Sequence, residues 1–90
     1  MILYKENLIS GCPPAYTSKT GDIPGWGQIR GKIETTMTGC GEECDKAEGC
    51  CSFEFSDSSK LCNLNRDCEP TLGKYKDYHY CTQGKGSFPN

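Results

Sequence analysis

No apolar run in this chain approaches the ~20 residues that a membrane-spanning helix needs, so membrane insertion is not expected. A dominant charge is missing too. The formal net charge is only −2, and no clustered Lys/Arg face marks a nucleic-acid partner. Cys-x2-Cys pairs are absent, which removes the usual knuckle of structural zinc and the common thiol redox motif. Histidine occurs once, as His79. A nucleophilic thiol needs a nearby base, and a lone histidine in a strand-like stretch reads as a half-exposed strand residue instead. No loop has the ligand spacing of an EF-hand, although Asp57, Asp67 and Glu69 are oxygen donors. No metal, cofactor or catalytic group is therefore expected. No secretory leader is visible in these 90 residues, because residues 1–6 turn polar at once. The chain is expected to be a module of a longer secreted or surface protein.

Hydrophobic residues are also scarce. They make up 34% of the 90 residues, cysteines included, and eleven glycines add unfolded-state entropy that folding must overcome. A single domain of this length has a marginal core. What the chain has instead is eight cysteines, an even count of the kind used in small secreted modules. One bridge closing a long loop contributes roughly 3–5 kcal/mol in the chain-entropy description. Four would rival the whole stability of such a domain, roughly 5–15 kcal/mol.

Four of those cysteines fall within twelve positions, Cys40, Cys44, Cys50 and Cys51. Residues four apart share a helix face, so Cys40 and Cys44 point the same way on a short helix. Thr38 is the expected N-cap, Glu42 and Glu43 suit the helix's positive end, and Gly49 is a natural stop. Ser52-Phe53-Glu54-Phe55-Ser56 alternates as a strand does. Residues 57–60 then form a hairpin loop, and Leu61-Cys62-Asn63-Leu64-Asn65 returns as its partner. Adjacent strand side chains point to opposite faces, so Cys50 and Cys51 take different partners. Before the helix, residues 2–4 and 8–9 read as a first edge strand, and residues 12–14 and 17–21 as loop. Pro24-Gly25 reads as the centre of a type II turn, and residues 28–33 as a second strand. Residues 74–81 form the last strand, and residues 82–90 have the composition of a tail or linker.

These features resemble the PAN/apple domain family. A cysteine near the start, C-x3-C-x5-C across a helix end, a Phe-rich strand, Cys62-Asn63-Leu64 and a closing Tyr80-Cys81 are similar to that pattern. So is the Asp22-Ile23-Pro24-Gly25 turn ahead of the helix. The resemblance spans about residues 12–81. It implies an α+β fold, with a single short α-helix cradled by a small twisted antiparallel β-sheet, disulfide-rich. The module then covers residues 1–81, with residues 82–90 as a C-terminal tail or linker. Eight cysteines allow 105 pairings. The resemblance implies Cys12–Cys81, Cys40–Cys62 and Cys44–Cys50; Cys51 and Cys68 lie outside its pattern and are left to each other. Tying Cys40 to the hairpin fixes the helix against the sheet, whereas Cys44–Cys50 locks only the helix exit.

The implied function is that of an extracellular, non-catalytic module. It mediates protein–protein or protein–carbohydrate contacts, its partner being an extracellular protein or a glycan. The alternative is a structural or matrix module with no discrete ligand site. Aromatic side chains stack on sugars and anchor protein partners. The candidate ligand residues are Trp26, Tyr75 and Tyr78, flanked by Arg30. Tyr78 and Tyr80 share one strand face and also suit the core. The acids of the helix, Glu42, Glu43, Asp45 and Glu48, read as a solvated face.

Overall fold

Both neighbours of the Phe-rich segment hydrogen-bond to it, which makes it the middle of the sheet. The computed structural model describes residues 11–71, 73 and 77–83. It contains β1 (Thr17–Lys19), β2 (Arg30–Glu34), α1 (Met37–Lys46), β3 (Ser52–Ser56), β4 (Leu61–Asn65) and β5 (Tyr78–Thr82). The five strands form one antiparallel sheet in the order β1-β5-β3-β4-β2. The described residues thus form a small disulfide-rich α+β domain with one short helix on a five-stranded sheet. The hairpin β3–β4 pairs Ser52 with Asn65 through to Ser56 with Leu61, and Lys60 N donates to Ser56 O across its turn at 2.8 Å. The expected edge strand at residues 2–4 and 8–9 lies outside the described residues.

Alternation sorts β3 and β4 into two faces. Phe53, Phe55, Cys62 and Leu64 lie on one, buried with Cys81 against Cys40 and Cys44 of α1. Tyr16 closes the edge of this core. Its ring meets Phe53 edge-on at 5.0 Å, and its hydroxyl donates to Asp45 of α1 at 2.7 Å. Four bridges hold the layers: Cys12–Cys81, Cys40–Cys62, Cys44–Cys50 and Cys51–Cys68. The first three are the pairs the resemblance implies; the fourth joins the two cysteines outside its pattern. Four bridges in so small a domain fit an oxidising, extracellular setting. Among the described residues no helix is long and apolar enough to cross a membrane.

The other face carries Ser52, Glu54, Asn63, Asn65, Tyr80 and Thr82, and it is buried as well. Residues 22–28 lie across it. Ile23 N donates to Glu54 Oε2 at 2.7 Å, and Gln28 N donates to Asn65 Oδ1 at 3.4 Å. Ser52 Oγ and Tyr80 Oη hydrogen-bond to each other at 2.8 Å. A sheet covered on both sides needs partners for its polar layer; these bonds supply most of them, leaving Asn65 Nδ2 buried without one.

Four local expectations change. Residues 17–19, read as loop, form edge strand β1, whose exposed side chains carry no alternation; backbone pairing to β5 places it. The helix starts earlier: Thr36, not Thr38, is the N-cap and accepts from Gly39 N at 3.0 Å. Glu42 and Glu43 consequently fall beyond the first turn, which holds no acid. Thr82 belongs to the sheet, not the tail: it pairs with both Thr17 and Ser52 and is buried. Gln83 N extends the pairing to Cys51 O at 2.8 Å.

Candidate functional site

The segment across the polar face is shaped by its glycines. Gly25 has φ +95° and Gly27 φ +93°, values that L side chains rarely adopt; positive φ at Gly25 is what a Pro-Gly type II turn requires. The chain then passes so close to β2 that a Cβ on Gly31 would stand 1.5 Å from the Trp26 carbonyl oxygen. Trp26 is thereby held at the surface, 57% exposed. Lys32 sits at a bulge in β2 and carries its ammonium to 4.4 Å from the Trp26 ring centre.

Beneath Trp26 opens a cleft of about 340 Å³. Pro24, Gly25 and Trp26 line it from the segment that crosses the sheet, with Asp22 beside them, and Glu54, Asn63 and Tyr78 line it from the sheet face. Glu54 and Asn63 are cross-strand partners of the hairpin. Cys40–Cys62 and the paired backbone therefore hold this wall rigid. The volume lies within the range of small-ligand sites, ~300–1,000 Å³.

Glu54 dominates the electrostatics. Its carboxyl is pushed up to about 8, first by burial and then by its hydrogen bond to the Asp22 carboxyl; Ile23 N and Asn63 oppose the rise. Near neutral pH Glu54 therefore keeps its proton. Asn63 is fixed from behind, since its Oδ1 accepts from Lys32 N at 2.8 Å. Tyr80, deeper under the same face, is held as a neutral phenol: burial pushes it up to about 12.

The structure brings together two of the four expected ligand residues, Trp26 and Tyr78. Tyr80 takes the core position on their strand face, 1% exposed. Arg30 does not join them: it lies exposed on β2 and pairs with Glu43 of α1 at 3.5 Å. Tyr75 lies outside the described residues. His79 points to the helix side of the sheet, opposite Phe55, and its Nε2 is 2.8 Å from Asp57 Oδ2. Among the described residues no three His, Cys, Asp or Glu side chains group as a metal cage. Sequence reasoning missed Asp22, Glu54 and Asn63 as site residues. The only available signal was an acid flanked by two phenylalanines, which alternation assigns to solvent.

No protein-family model, curated protein or solved structure matches the chain.

Proposed function

We propose that this chain is an extracellular, non-catalytic binding module of the PAN/apple kind, part of a larger secreted or surface protein, and that it holds a carbohydrate in the Trp26–Tyr78 cleft. The observation that carries this reading is the pairing of an exposed indole and a tyrosine with planar hydrogen-bonding groups on a rigid sheet wall. A sugar ring offers an apolar face and a rim of hydroxyls. Aromatic rings meet the first, and Asp22, Asn63 and Glu54 can meet the second. The cysteine framework and the helix-on-sheet plan support the PAN/apple assignment.

The acid pair does not suit glycoside cleavage. Hydrolysis uses carboxyls about 5–9.5 Å apart flanking the bond, whereas here they are hydrogen-bonded to each other and one is tied to backbone. The experiment is a glycan array with wild-type protein, Trp26→Ala and Tyr78→Ala. Binding to a defined saccharide set, lost in both variants, is the expected result. Wild-type protein that captures no glycan but binds an extracellular protein, still through Trp26, would move the cleft to protein adhesion. No binding of either kind would leave a structural or matrix module.

A further inference from the structure

We propose that the cleft selects a saccharide carrying a free primary amine, whose ammonium sits between the Asp22–Glu54 carboxyl pair and the Trp26 ring. The inference rests on the carbohydrate reading above and adds the charge of the ligand.

The described side chains lining the cleft include two acids and no base. Glu54 is 1% exposed, so charge on this wall is poorly screened by water. Ile23 N donates to its Oε2 at 2.7 Å, and the Asp22 carboxylate lines the cleft with it. A neutral sugar leaves that charge without a counter-ion. An anionic sugar meets repulsion. An ammonium brings three donors and a positive charge, and it answers the carboxyl pair with charge-assisted hydrogen bonds.

Trp26 supplies the second half of the recognition. The chain already places one ammonium on this indole, that of Lys32, at 4.4 Å. Lys32 reaches the ring from β2 and is not among the residues lining the cleft. Trp26 itself does line it and is more than half exposed, so ring surface remains for a ligand. An amine held between an aromatic face and a carboxylate gains from both.

The test is calorimetric titration of the oxidised protein at pH 6, where the amine is charged. The probes are a β-1,4-linked glucosamine tetramer, its fully N-acetylated counterpart, and Nα-acetyl-lysine methylamide. The glucosamine tetramer is expected to bind at least about tenfold more tightly than the acetylated one. Asp22→Asn, which keeps shape and hydrogen-bonding capacity, should reduce that preference about tenfold, the scale of one charge-assisted hydrogen bond, and Asp22→Ala at least as much. Circular dichroism confirms that each variant is folded. Equal binding of the two tetramers overturns the amine inference and leaves the carbohydrate reading standing. Binding of the lysine amide without either sugar overturns the saccharide reading, and with it this proposal. No binding by any probe overturns both.

Discussion

Glu54 shows how one side chain ties stability to pH. Unfolded, it gives up its proton near the ordinary value of 4.5; folded, it holds it to about 8. Between those values the native state binds more protons than the unfolded one, so stability falls as pH rises. The contribution is fully present below about pH 4.5 and gone above about pH 8. Asp77 lies outside this window. Ser58 and Ser56 hold its carboxyl down to about 2, so its contribution is present above the ordinary Asp range and lost only in strong acid. Melting curves from pH 5 to 8 should show the wild-type Tm falling by several degrees, while Glu54→Gln stays nearly level; parallel slopes would refute the raised Glu54 carboxyl. Gly31 offers a second test. A methyl there collides with the Trp26 carbonyl, and overpacking of this kind costs about 1–3 kcal/mol. Gly31→Ala should shift the emission of the single tryptophan and weaken saccharide binding; an unchanged spectrum and affinity would show that the loop is placed by something else.

At the scale of elements, the bridges are unequal. Cys40–Cys62 spans 22 residues and joins helix to sheet, whereas Cys44–Cys50 spans 6 within one corner. Loop-closure entropy assigns them about 3 and about 2 kcal/mol. The first also pins α1 over Phe53 and Phe55. Denaturant melts of the two double-alanine variants should therefore show the larger loss for Cys40/Cys62; equal losses would count against the layer-crossing role. Helix, hairpin and last strand were legible because each carries a periodic or capping signal. β1 was not, since Thr17–Lys19 exposes every side chain and is placed by backbone pairing to β5. The helix start was misplaced because Thr36 and Thr38 are equally good caps by residue type. Only the backbone turn chooses between them.

The whole molecule depends on crosslinks where a larger protein would rely on apolar bulk. All eight cysteines are paired, and Cys12–Cys81 spans 69 residues. Thiol titration of native protein should find no free sulfhydryl, and full reduction should abolish the cooperative melt. A reduced chain that melts as sharply as the oxidised one would mean that the core stands without its bridges. The count and clustering of cysteines announced that dependence from the residues alone, as the Phe alternation announced a buried sheet face. The cleft was hidden. Alternation reveals which residues share a face, but not what will cover it. Ser52, Glu54 and Asn63 look like a solvated surface until residues 22–28 fold across them, and that contact joins positions some 31 apart in sequence. Burial turned an ordinary acid into one that keeps its proton near neutral pH, and it came from long-range packing that no local pattern encodes.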